Sequence, residues 1–374
     1  MLTLDNITTF SREFGSKHIA TYTKQTDEEG RFPKESFDAL KKEGFTALLV
    51  PKQYGGLGGG ASEHIKVCYE LGRFCATTAL CYMMHNTAVS AISLFGSEEL
   101  KDEILPQIAQ GKILLALAYS ESGSGTHFGA PDITESSEGG YRILKGRKSF
   151  VTSAEYADYY LTYTNSCKKQ GTYNTWLVDC KLPGVVTEQN TWNGLGMRGN
   201  NSKPVQYNDV RVEERFLLGS DGDGETHSGA LIMYFITGLG AVYSGLGEAM
   251  YECILGHTKS RKYTSGGSLS DIELVKIHLA DIYTKVQASL SLTTEAARSL
   301  DAKEADAPLK VFACRINAIH NVMDIASLAM RLGGGKAYSK HLPLERYFRD
   351  AYASQVMAPS LDVLKSWLGS AVVS

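Results

Sequence analysis

Several features that would narrow a function quickly are missing from this 374-residue sequence. It has no Cys-x-x-Cys pair and no His-Glu-x-x-His. Its seven cysteines, Cys68, Cys75, Cys81, Cys167, Cys180, Cys253 and Cys314, are odd in number and scattered. That pattern reads as structural thiols rather than a disulfide framework, and the nine histidines lack the paired spacing of a zinc site, so no metal is expected. No run of about 18 apolar residues occurs, and MLTLDNITTFSREF lacks a basic segment followed by an apolar one. Neither a membrane span nor a secretory signal is expected, and the expected location is the cytoplasm. A basic excess is also missing. Against 41 Asp and Glu stand 38 Lys and Arg, a net charge of -3 that argues against a nucleic-acid partner.

What is present is an ordinary globular composition, 43% hydrophobic and 21% charged, on a chain long enough for two or three domains. Residues 1–114 read as helical. Phe32-Pro33-Lys34-Glu35 opens one helix, which stops at Gly44, and Ile65, Cys68 and Leu71 fall at helical spacing in another. Ser97-Glu98-Glu99 looks like an N-cap with an acidic first turn. The glycine run from Gly55 to Gly60 follows no strand of a βαβ unit, so it reads as a loop and not a phosphate cradle. From about Leu114 short segments rich in β-branched and aromatic residues take over: 113–119, 141–152, 159–164, 175–178 and 205–212. They define a central β domain, residues 115–222. Helical periodicity returns over 223–374, with stripes at Val275, Leu279, Ile282, Val286 and Leu290 and at Phe312, Ile316, Ile319, Met323, Ala326 and Met330, as in a bundle. In 345–364 the pattern ERYFRDAYASQV breaks at Pro359, a helix boundary.

The order of helices, a small β domain and a helical bundle, together with six motifs in sequence, resembles the acyl-CoA dehydrogenase superfamily of flavoproteins over nearly the whole chain. The motifs are Phe32-Pro33 with Val50-Pro51-Lys52-Gln53-Tyr54-Gly55-Gly56; Gly96-Ser97-Glu98-Glu99-Leu100-Lys101 through Pro106; 118–126, similar to a flavin-contacting loop; Gly146-Arg147-Lys148-Ser149-Phe150-Val151-Thr152; Gly196-Met197-Arg198-Gly199; and Glu345-Arg346 with Arg349-Asp350-Ala351. The resemblance implies a mainly α fold with a small central β-barrel and a four-helix bundle, an FAD cofactor with FMN as the alternative, and a homodimer or homotetramer. It also implies flavin contacts at Tyr119, Ser120, Gly125, Thr126, Phe150, Thr152 and Ser360, with Arg261, Arg331, Gly334 and Gly335 reaching the cofactor of a neighbouring subunit.

One departure governs the functional expectation. In the family a glutamate takes the substrate's α-proton while hydride leaves the β-carbon. Counted from Arg349-Asp350-Ala351, its place holds Ala358, and the alternative position at the start of the first bundle helix holds Phe235. The resemblance then favours a flavin-dependent monooxygenase of hydroxylase or N-oxygenase type, working through a flavin C4a-hydroperoxide. Its flavin would be reduced in place or by a separate flavin reductase, with His85 and His127 as proton donors. One alternative is an acyl-CoA or acyl-carrier-protein dehydrogenase with a relocated base, for which Asp362, Glu121 and His127 are candidates. Another is a flavin-binding protein without turnover. The substrate is expected to be a small or carrier-bound organic molecule.

Overall fold

The protein is described from a computed structural model, over residues 2–123, 131–189 and 192–373. Six helices come first: α1 (Ile7–Phe14), α2 (Ala20–Glu29), α3 (Lys34–Lys42), α4 (Ala61–Gly72), α5 (Ala76–Phe95) and α6 (Glu98–Ala109). Local signals place several of their ends. The Ser97 hydroxyl accepts the Leu100 N–H at 3.2 Å and opens α6, and Gly44 at φ +83 closes the turn after α3. Helix α5 is different, because Ala76 through Ile92 are all buried. A helix wrapped on every side carries no one-sided stripe, and it was invisible to periodicity.

The central domain is two small sheets packed face to face, the form that the expected barrel takes here. One has the order β1 (Leu115–Ala118), β4 (Tyr159–Asn165), β5 (Tyr173–Asp179), with β1 parallel to β4. The other has the order β2 (Thr134–Glu138), β3 (Tyr141–Val151), β7 (Lys203–Glu213), β6 (Val185–Thr187), all antiparallel. Ala116, Tyr160, Trp176 and Val178 from the first meet Leu144, Val205, Tyr207 and Val212 from the second in one core.

The remainder is α7 (Gly224–Ser260), α8 (Glu273–Asp301), α9 (Ala307–Tyr338), α10 (Leu344–Val356) and α11 (Leu361–Val373). Among the described residues, α7 is long and apolar enough to cross a membrane by length and composition, but 72% of its most apolar window is buried by protein. It is the central rod of the bundle, in contact with α4, α5, α8 and α9.

Three long-range hydrogen-bond sets lock these parts together. Asp301, at the end of α8, accepts the N–H groups of Ala61 (2.7 Å) and Ser62 (2.9 Å) and so caps α4. Arg349 on α10 makes a two-pronged pair with Asp27 of α2 (2.9 and 2.5 Å) and donates to Leu195 O (3.1 Å). The next residue, Asp350, accepts the Met197 N–H at 2.6 Å. The backbones are close enough that a Cβ on Gly196 would lie 2.2 Å from Arg349 O.

The Asp350 carboxylate makes this junction sensitive to pH. Burial raises it to about 6, against the lowering effect of the Met197 hydrogen bond. A carboxyl group whose folded value exceeds its unfolded value of about 3.9 binds its proton more tightly when folded, so its ionisation penalty grows as pH rises from about 4 through 6. Asp350→Asn keeps an acceptor but cannot ionise. The stability of that variant relative to the parent, from urea midpoints, is expected to rise between about pH 4 and pH 7. Asp350→Ala leaves the Met197 N–H unpaired and is expected to cost about 1–3 kcal/mol. A pH-independent difference for the Asn variant would refute the assignment.

Candidate flavin and substrate site

The end of β3 departs from regular strand. Its register with β7 shifts between Lys148 and Val151, and Phe150 sits at φ +46. A left-handed aromatic residue is uncommon and marks a position where the surroundings enforce strain. Here the bulge turns Phe150 outward, 67% exposed, at the rim of a cavity of about 670 Å3. Beside it Thr152 is buried, its hydroxyl 2.9 Å from that of Ser202. The Ser149 N–H donates to Ser120 O at 2.7 Å and ties β3 to the segment after β1.

That segment supplies Tyr119 and Ser120 to the same cavity, whose opposite wall is apolar. Leu231, Ile232 and Phe235 come from α7, and Val356, Met357, Ala358, Pro359, Ser360 and Val363 come from the α10–α11 junction. The two positions that motif spacing gives to the family's glutamate, Phe235 and Ala358, therefore face one space that is also lined by Phe150, Thr152 and Ser120. An outward aromatic face, short hydroxyls and an apolar opposite wall fit a flat, hydrogen-bonding ring system with an organic substrate stacked against it.

At the cavity wall lies a buried ion pair. Lys148 donates to Glu121, to Tyr163 O (2.5 Å) and to Tyr119 O (3.3 Å). Burial lowers the ammonium to about 8, opposed by the Glu121 charge. Glu121 lines the cavity, but it also accepts the N–H groups of Asp132 and Ile133, so its carboxylate serves as an anchor between loops.

Two expected catalytic residues are corrected. His85 does not line the cavity. It is fully buried on α5, where Nδ1 accepts the Leu115 N–H at 3.0 Å, which leaves Nε2–H to donate to Thr46 O at 3.0 Å. Burial lowers it to about 4 and the ring is neutral, a tie between α5 and β1 rather than a proton shuttle. Asp362 is exposed and lies outside the cavity lining, because the turn beyond Ala358 aims it at solvent. Arg261, Arg331 and Gly335 are exposed, and none of them lines the cavity. Gly334, at φ +54, interrupts α9 and is likewise outside it. Gly125, Thr126 and His127 lie outside the described residues.

Cavity residues that sequence reasoning missed include Met84, Trp192, Asn200 and Ser228. Trp192 alone carried a signal, as one of only three tryptophans; its indole N–H donates to Arg198 O at 2.9 Å and fixes the loop before Gly196.

The geometry agrees with comparison to known proteins. Residues 5–112, 116–210 and 236–372 match the N-terminal, middle and C-terminal domain models of acyl-CoA dehydrogenases. The chain belongs to the acyl-CoA dehydrogenase family. It is 29% identical over 352 residues to an acyl-CoA dehydrogenase of Bacillus subtilis, covering 92% of this chain and 91% of that one. It is 28% identical over 364 residues to the NADH-dependent acryloyl-CoA reductase of Anaerotignum propionicum, covering 95% and 90%. Among solved structures, butyryl-CoA dehydrogenase from Megasphaera elsdenii superimposes with a TM-score of 0.94 at 23% identity, over 100% of this chain and 99% of that one.

The reassignment of His85 is testable. His85→Ala is expected to lose about 1–3 kcal/mol of stability by leaving the Leu115 N–H unpaired. Turnover per folded, flavin-loaded molecule should be unchanged, and a selective loss of turnover at unaltered stability would restore a catalytic role.

Proposed function

We propose that this protein is an FAD-dependent oxidoreductase that transfers hydride between an acyl-thioester-type substrate and flavin, as an α,β-dehydrogenase or in the reverse, reducing direction. The observation that supports it most is the single cavity in which Phe150, Thr152 and Ser120 face Phe235 and Ala358. Named relatives act in both directions: an acyl-CoA dehydrogenase, an acryloyl-CoA reductase and a cyclohex-1-ene-1-carbonyl-CoA dehydrogenase. The oxygenase expectation drew on Phe235 and Ala358 alone, and the names of these three relatives give it no support.

Bound FAD would supply the two-electron acceptor or donor for hydride. Phe150 would cover one edge of the ring, and Ser120, Thr152 and Ser360 would hydrogen-bond it. Leu231, Phe235, Val356, Met357 and Val363 exclude water from the reacting carbons and pack the substrate. The proton that accompanies hydride has to be exchanged by a group other than a carboxylate at Phe235 or Ala358. Asp362 is turned away and Glu121 is tied to Lys148, so of the sequence candidates we assign this role to His127.

Oligomerisation belongs to the same reading. Helix α8 exposes Leu274, Ile277, Tyr283 and Leu292, and Arg261 and Arg331 stand at the surface, consistent with a dimer or tetramer that completes the diphosphate site. A separate flavoprotein or flavin reductase would serve as electron partner.

The decisive measurement is anaerobic mixing of the FAD-loaded protein with a panel of saturated acyl thioesters, and of the reduced protein with enoyl thioesters. Bleaching of the oxidised flavin, or its reoxidation, is the expected result, and about a hundredfold loss is expected in His127→Ala, in the range of general acid–base contributions. Ala358→Glu should add proton-abstracting capacity and raise acyl thioester oxidation. Inertness to both panels, with a transient absorbing intermediate on admitting oxygen to the reduced protein, would return the assignment to oxygenase chemistry.

A further inference from the structure

A second cleft, of about 660 Å3, opens where α2 meets the connection between α9 and α10. Its charges do not balance locally. Its three carboxylates already have cations: Asp27 and Glu345 are bound by Arg349 at 2.5 and 2.9 Å, and Glu28 faces Lys24 at 3.8 Å. Three further cations line the cleft, Arg198, Lys340 and Arg346, and among the described residues none has a carboxylate partner within 4.0 Å. Arg198 is held in place by backbone, through Asp27 O at 2.8 Å. Lys340 stands on a left-handed turn at φ +64, a conformation that costs energy for a side chain with a Cβ.

Like charges gathered on a concave surface repel, and field lines concentrate in such a cleft. In a chain whose net charge is -3, that concentration is local and not a by-product of composition. Two guanidinium forks and an ammonium match the geometry of phosphate oxygens, and the volume is that of a small-molecule site rather than a flat docking face. We propose that this cleft binds a phosphate-bearing small molecule, with Arg198, Lys340 and Arg346 as its cationic contacts.

The test is calorimetric titration of the full-length, FAD-loaded protein with inorganic pyrophosphate and, separately, with ADP, at fixed ionic strength. Saturable one-to-one binding of at least one of these is expected, weakening as salt rises. Lys340→Glu, an exposed and structurally harmless change, is expected to weaken it about tenfold or more, as is Arg346→Gln, whereas Lys365→Glu on α11, outside the cleft, should leave it unchanged. Pyrophosphate and ADP binding equally would mean that phosphate alone is recognised; tighter binding of ADP would identify a nucleotide as the source. The proposal is overturned if neither binds, or if binding is indifferent to Lys340→Glu. Flavin content and acyl thioester bleaching, measured on the same variants, should not move, so failure here is separable from failure of the redox assignment.

Discussion

The catalytic geometry of this protein depends on how one short helix is held. Helix α10 is tied at its first turns to the N-terminal helices by the Arg349–Asp27 pair and to the β domain by the Asp350–Met197 hydrogen bond. At its other end Arg315 of α9, fully buried and stacked over Tyr243 at 4.7 Å, donates to Ser354 O at 3.0 Å. A cation placed on the last carbonyls of a helix satisfies acceptors that have no intrahelical partner. Desolvation lowers that guanidinium to about 10, the cost of keeping it there without a carboxylate. With both ends fixed, Met357, Ala358 and Pro359 can form a defined wall rather than a mobile loop.

That wall meets a β domain whose position is set by different physics. The sheets are joined through buried polar contacts: Glu135 accepts from Trp176 (2.8 Å), Asn174 (2.7 Å) and Thr164 (3.2 Å), and Lys148 gathers Glu121 with two carbonyls. Because each acceptor is satisfied, these charges specify one arrangement and leave little freedom to slide. The strain at Phe150 is sustained by this rigid surround. The cavity is therefore a joint between two bodies that each carry their own anchors, and Arg349 and Asp350 of α10 reach across it to Leu195 O and the Met197 N–H.

Much of this was legible in the residues. Period-2 segments located β1, β3, β4, β5 and β7, and the stripes at Val275–Val286 and Ile319–Ala326 located α8 and α9. The short strands β2 and β6 were not legible, because Thr134–Glu138 is polar and mostly exposed and Val185–Thr187 spans three residues. Motif spacing brought Phe235 and Ala358 to one site although they lie far apart in sequence. It erred on side chains whose role is fixed by tertiary partners. His85 looked like a shuttle because histidine can titrate near neutrality, but its two hydrogen bonds join it to residues far away in the chain, Thr46 and Leu115. Asp362 looked close to Ala358 along the helix, yet the break at Pro359 rotates it outward.

The residues at the two positions that motif spacing gives to the family's base differ in volume and share an electrostatic effect. Phe235 is large and Ala358 small, and neither brings charge to a wall of Leu231, Val356, Met357 and Val363. A carboxylate in that wall would be desolvated and would need a partner that the described lining does not provide on that side. With Phe235 and Ala358 in it, the wall can hold a substrate against the ring and exclude water but offers no carboxylate, so under the proposed function a proton would be exchanged from the β-domain side or from the rim at Phe150. Hydride and proton would then both be exchanged on the ring's side of the substrate, because Ser120, Phe150 and Thr152 stand on that same β-domain side. A substrate handled in this way would have to present its exchangeable proton toward that polar side.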